Sequence, residues 1–100
     1  MKISSQGSSL RISDIPALNA STAPGLRDDA RASVKGEHTT IDIDMSSTRF
    51  LDSSGLGALI ALQKTMAQRS GALRIVNPSA TVQQILELTR LHRVLEIVHE

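Results

Sequence analysis

Asp52-Ser53-Ser54-Gly55 places one carboxylate and two hydroxyls side by side in a chain that is otherwise poor in chemical groupings. Before it runs Thr40-Ile41-Asp42-Ile43-Asp44-Met45, whose alternation reads as a half-buried strand. After it, the stretch from Ala58 to Ala67 favours helix and holds no proline. The octet from Phe50 to Gly57 therefore sits where a strand hands over to a helix, at an end rich in free N–H groups and positive dipole. Such an end can hold a phosphate, and a serine there can accept one. The same residues also make an ordinary cap, since Asp and Ser are favoured N-caps and Gly permits a tight turn. Position alone leaves both readings open.

Other groupings are weaker. The three histidines, His38, His92 and His99, are too scattered to suggest a metal cluster and read as surface residues. Asp42 and Asp44 form a carboxylate pair only in sequence; the strand period points both to one open face, as solvated charge. No Ser-x-x-Lys or Gly-x-Ser-x-Gly pattern supplies a base for a nucleophilic serine. Gly55 and Gly57 lack both the remaining glycines of a dinucleotide fingerprint and the Lys of a P-loop. Asn19-Ala20-Ser21 matches a glycosylation sequon, idle without secretion. Nothing here argues for an enzyme, a cofactor or a metal.

The totals bound the possibilities further. One hundred residues make one domain, spanning 1–100. Apolar residues are 40% of the chain but Phe50 is the only aromatic, so the core must be aliphatic. A net charge of +1, with no basic stripe or aromatic platform, gives no reason to expect nucleic acid. The absence of cysteine excludes disulfides and thiol chemistry. Residues 1–7 lack the apolar segment of a signal peptide, and the longest apolar run, Ala58 to Leu62, is far short of a membrane span. A soluble, cytoplasmic protein without membrane insertion is expected.

The elements that must position the octet follow in order. Ser8 to Ile12 predicts a short strand with Leu10 and Ile12 on one side, and Ser13 to Ser21 a polar loop broken by Pro16. Thr22 or a neighbour caps a helix with Pro24 in its first turn, running to about Val34, with Leu26, Ala30 and Val34 on one face. Lys35-Gly36-Glu37 is the exit turn. In the helix after the octet, Leu56, Leu59, Ile60 and Met66 supply the buried face, and Ser70-Gly71 stops it. Ala72 to Val76 is the next strand, closed by Asn77-Pro78. Ser79 caps a third helix with Val82, Ile85, Leu86 and Leu91 on one face, and Val94 to Val98 is a short final strand or a helical turn. Strands alternating with helices imply an α/β fold with a mostly parallel sheet. Because the strands alternate instead of being apolar throughout, the helices are expected chiefly on one face. Strands paired in chain order would then set Arg11, Asp42 with Asp44, Arg74 and Glu96 side by side on the other face, with alternating sign.

Asp52-Ser53-Ser54-Gly55-Leu56-Gly57, in this setting, resembles the signature of STAS domains, specifically of bacterial anti-sigma factor antagonists. Thr22-Ala23 at the first helix, Asn77-Pro78-Ser79 after a strand and Leu86-Glu87-Leu88-Thr89 at the end of the third helix agree, so that the likeness covers roughly residues 8 to 98. The resemblance implies a STAS-like (β/α) superhelix whose strand–helix junction docks onto an anti-sigma factor. That partner is typically a serine kinase that phosphorylates the first serine of the motif, here Ser53, and so abolishes binding; ATP belongs to the kinase, and the domain is not an enzyme. The implied partner-binding residues are Asn19, Ser21, Asp52, Ser53, Ser54, Gly55 and Leu56. Two further readings are a STAS scaffold subunit of a regulatory assembly, in which the serine has a regulatory use or none, and a soluble STAS partner of a lipid-transport ATPase, in which the same surface packs permanently and needs no acceptor hydroxyl. There are departures from the family pattern. Asn19 stands where the family usually has Asp, and the glycine that commonly precedes that Asp is absent. The chain stops at Glu100, where relatives usually continue into a last helix, which would leave the C-terminal edge less covered and open to self-association. Gly55 and Gly57 are expected to allow close approach of a partner backbone or of the first helix.

Overall fold

Period-two patterning, in which apolar residues recur at every second position, builds the centre of the molecule. A computed structural model describes residues 1–100. Its elements are β1 (Lys2–Gln6), β2 (Ser9–Ser13), β3 (Ala17–Leu18), α1 (Ala23–Ser33), β4 (Thr40–Asp44), β5 (Phe50–Leu51), α2 (Ser53–Ala67), β6 (Ala72–Val76), α3 (Ala80–Leu88), a 3₁₀ turn (Leu91–Arg93) and β7 (Glu96–Val98). The main sheet has the order β1-β2-β4-β6-β7; β2, β4, β6 and β7 are parallel and β1 joins antiparallel.

Leu10 and Ile12, Ile41 and Ile43, and Leu73 and Ile75 point to one face and are buried there. Against that face pack Leu26 and Ala30 of α1, Leu59, Leu62 and Met66 of α2, and Val82 and Leu86 of α3. All three helices thus share one face, and the core is aliphatic. The buried stripe of α2 is Gly55, Ala58, Leu59, Leu62 and Met66, at the spacing of a 3.6-residue repeat. Ile60, expected on that stripe, is only partly buried and outside the core, because it lies on the opposite side of Leu59 from Ala58 and Leu62, about 100° beyond the edge of the stripe.

The other face carries the expected row of charges. Arg11 lies opposite Asp42, Asp42 opposite Arg74, and Arg74 opposite Glu96. Arg74 holds Asp42 through two bonds of 2.9 and 2.8 Å, while Arg11 reaches Asp44 and Glu100, each at 3.3 Å. Asp42 is not the solvated charge its pattern suggests: the arginine side chains lie over it and leave it 4% exposed. Burial opposes its ionisation, but the hydrogen bonds and charge of Arg74 prevail and hold its carboxyl below the usual carboxylate range. Asp44 is likewise held low, burial again being outweighed, here by bonds from Ser46 and the charge of Arg11.

Two features depart from the sequence expectation. β1 is an additional strand, joined to β2 by the two-residue turn Gly7-Ser8, in which Gly7 takes a φ of +63°. The segment expected to be a polar loop, residues 13–21, buries Ile15 and Leu18 and forms β3, which pairs with β5 as a separate two-stranded sheet. His38, expected on the surface, is instead inside and touches β1. It is 2% exposed, accepting the Lys35 N–H at Nδ1 (2.8 Å) and meeting Ser5 Oγ of β1 through Nε2 (2.7 Å). With Nδ1 accepting, the ring proton sits on Nε2 and is donated to Ser5.

Candidate functional site

The strand that leads into α2 is not β4 but the two-residue β5. Its backbone is fixed along one edge by β3. Ala17 and Leu18 of β3 pair in parallel with Phe50 and Leu51; Arg49 N–H donates to the Pro16 carbonyl (2.9 Å) and Asp52 N–H to that of Leu18 (3.2 Å). Just upstream, the fully buried Thr48 donates its hydroxyl to the Ile15 carbonyl at 2.6 Å, and Ser79 at the start of α3 donates to the Thr48 carbonyl, also at 2.6 Å. Thr48 and Ser79 thus set the position of the junction. Thr48 was not legible as such, because its partner lies 33 residues away.

Asp52 follows β5 in an extended conformation and caps α2. Its Oδ1 accepts from the Gly55 N–H at 3.1 Å, and its carbonyl accepts the first helical bond, from Leu56 N–H at 2.9 Å. Ser53 and Ser54 occupy the first turn, both exposed, and neither hydroxyl finds a hydrogen-bond partner within the chain. The cap reading therefore belongs to Asp52 alone and leaves both hydroxyls unused.

Gly55 lies beneath this turn, not on it. A Cβ there would stand 2.5 Å from the Leu18 carbonyl and 2.7 Å from a Leu51 methyl, so the close approach it permits is to β3 and β5 within the chain. Gly55 is buried and seats the helix start on these two strands. Leu56 is partly buried and packs on the core. Gly57 is exposed, and a Cβ added there would meet nothing within 4 Å, Leu26 included.

The second wall is the entry to α1. Asn19 Oδ1 accepts from the N–H groups of Ser21 (2.9 Å) and Thr22 (3.2 Å), while Asn19 N–H donates to Thr22 Oγ1 (2.9 Å). Thr22 Oγ1 in turn donates to the Ala17 carbonyl at 2.9 Å, tying the turn to β3. An aspartate in place of Asn19 could accept the same bonds, so asparagine keeps the shape of this loop and removes a charge. Ser21 is exposed beside it. Between the two walls runs a groove of about 410 Å³, lined by Ala20, Ala23, Pro24 and Arg27 on one side and Ser54, Gly57 and Ala58 on the other. The structure so brings Asn19, Ser21, Asp52, Ser53 and Ser54 to one end of the helices. No group of three or more His, Asp or Glu side chains comes together to hold a metal ion. No helix is long and apolar enough to cross a membrane.

The sequence pattern of the STAS domain family matches residues 10–100. The anti-sigma-B factor antagonist of Listeria monocytogenes is 28% identical over 80 residues, 80% of this chain and 70% of that protein. A crystal structure from Thermotoga maritima superposes with a TM-score of 0.87 at 22% identity, covering 97% of this chain and 84% of that one. The anti-sigma factor antagonist SpoIIAA in its unphosphorylated form gives a TM-score of 0.82 at 20% identity, covering 96% and 85% respectively. At these identities the two structural likenesses bear on the fold.

Proposed function

Because the chain belongs to the STAS domain family, we propose that it is an anti-sigma factor antagonist, a binding module that captures an anti-sigma factor while Ser53 is unmodified and releases it when Ser53 is phosphorylated. The names of its relatives support the class of partner. The observation that carries the switch is the free, exposed Ser53 hydroxyl in the first turn of α2, with the neighbouring carboxylate already engaged on Gly55. The partner is of the serine kinase type and brings the ATP, so the module itself catalyses nothing. It acts in the bacterial cytoplasm, where its partner and sigma factor reside.

Charge explains why the switch acts on the complex and not on the fold. Phosphorylation adds close to two negative charges. The N-terminus of α2 stabilises them by about 0.3–2 kcal/mol, and Asp52 opposes them, so the free domain stays folded. In the complex the dianion would be desolvated against a surface shaped for a hydroxyl. A penalty of about 3 kcal/mol there lowers affinity on the order of a hundredfold. The test uses purified anti-sigma factor serine kinases of the source bacterium, scoring phosphate incorporation and binding together. Ser53→Ala should bind and refuse phosphate, Ser54→Ala should still be modified, and Ser53→Asp should fold normally yet bind on the order of a hundredfold more weakly. Stoichiometric phosphate on Ser53→Ala would defeat the assignment. Undiminished binding by Ser53→Asp would point instead to a permanent scaffold.

A further inference from the structure

Phe50 is the only aromatic residue in the chain, and it is 53% exposed. Aromatic rings carry a large apolar area, and burying one is worth more than burying most side chains. The backbone decides otherwise. β5 alternates, Leu51 turns inward at 6% exposure, and Phe50 must turn outward. A lone exposed apolar residue is common on protein surfaces. Phe50 differs from the other exposed large apolar residues, Met1, Leu88 and Val94, in where it stands. It precedes Ser53 by three residues, which limits their Cα separation to about 10 Å. It also sits on the segment that the Thr48, Arg49 and Asp52 bonds hold in place.

Rigid presentation matters for binding. A ring with two side-chain torsions on a fixed strand loses little freedom when it is buried, and such aromatic anchors dominate interface energetics. We propose that Phe50 is the anchor of the partner interface, filling an apolar pocket on the anti-sigma factor beside the Ser53 contact, with an acidic rim on that pocket facing the exposed Arg49. This rests on the function proposed above and extends it: one surface carries a contact that phosphate disrupts and an anchor that phosphate leaves in place. Phosphorylated protein would then keep a weak grip on its kinase instead of none.

The test takes whichever purified anti-sigma factor serine kinase of the source bacterium binds the wild-type chain and measures its affinity for Phe50→Ala, Phe50→Leu and Leu88→Ala. Phe50→Ala is expected to weaken binding at least about tenfold with an unchanged melting curve. Phe50→Leu, which keeps apolar cover over β5 but removes the ring, should weaken it severalfold, and Leu88→Ala should leave it alone. Phe50→Ala added to Ser53→Asp should lower the residual affinity further. Wild-type affinity in Phe50→Ala would overturn the proposal while leaving the Ser53 switch intact. Equal losses in Phe50→Ala and Leu88→Ala would overturn it too, as would a Phe50→Ala loss that tracks unfolding while Phe50→Leu binds normally. Failure of every kinase to bind the wild-type chain would instead sink the proposed function, and the partner named here with it.

Discussion

The open face of the sheet and the first turn of α2 are both polar surfaces, yet they spend their polar groups differently. On the sheet, Asp42 is engaged twice by Arg74, Arg74 also faces Glu96 at 3.9 Å, Arg11 joins Asp44 to Glu100, and Asp44 accepts from both the N–H and the hydroxyl of Ser46. At the helix start a single carboxylate is engaged, on the Gly55 N–H, and two exposed hydroxyls keep their full capacity beside an uncovered ring. Groups matched within the chain hold strand register and leave a partner little to bind. Groups left unmatched on a rigid frame cost the fold little and remain available. The density of polar residues does not separate these roles; what each polar atom already touches does.

The contrast breaks most forcefully at Arg74. Removing it leaves Asp42 buried without its main counter-ion, a type of change that typically costs about 3–5 kcal/mol. Arg74 is itself 28% exposed, and screening by solvent reduces the expected loss for Arg74→Ala to roughly 2–4 kcal/mol, to be read from urea unfolding. The same pair has a pH signature. Asp42 and Asp44 have folded-state pKa values lowered from the unfolded value, so their contribution is fully present above about pH 4 and is lost as pH falls through those lowered values. Urea melts carried from neutral pH into acid should show stability falling in that window, and falling less in Arg74→Ala. An equal acid dependence in the two proteins would mean that other carboxylates set it.

The two glycines of the motif sharpen the contrast inside the site. Gly55→Ala must displace the Leu18 carbonyl, which as backbone yields poorly, and is expected to cost about 1–3 kcal/mol. Gly57→Ala enters open space at helical angles and should stabilise by about 0.5–1 kcal/mol, the smallest effect of the set. Denaturant midpoints measured side by side decide the matter. Two shifts of the same sign would contradict the packing of α2 on β3.

Much of this molecule is legible in short windows of sequence. The β2, β4 and β6 alternation, Pro24 at the start of α1, Asp52 at the cap of α2 and Ser79 at that of α3 are local signals, and each element forms where they place it. The charge row was legible too, since a period of two and chain-order pairing suffice to put Arg11, Asp42, Arg74 and Glu96 in line. Gly7-Ser8, a dipeptide suited to a tight hairpin turn, was a signal for β1, although the polar Ser4, Ser5 and Gln6 beside it mask the strand. Other features had no local signal. A two-residue strand has no period to detect, so β3 and β5 exist only because Ala17 and Leu18 meet Phe50 and Leu51 across more than thirty intervening residues. His38 meets Ser5 of β1, and Asp42 meets Arg74, only once the chain has brought these distant segments together. Sequence by itself determined the elements, their order and the chemistry offered at residues 52–54, because caps and periodicities act between residues a turn or two apart. Tertiary structure alone decided which of those groups are spent and which stay free, because a hydrogen bond or a buried ring depends on neighbours that the chain brings together only on folding.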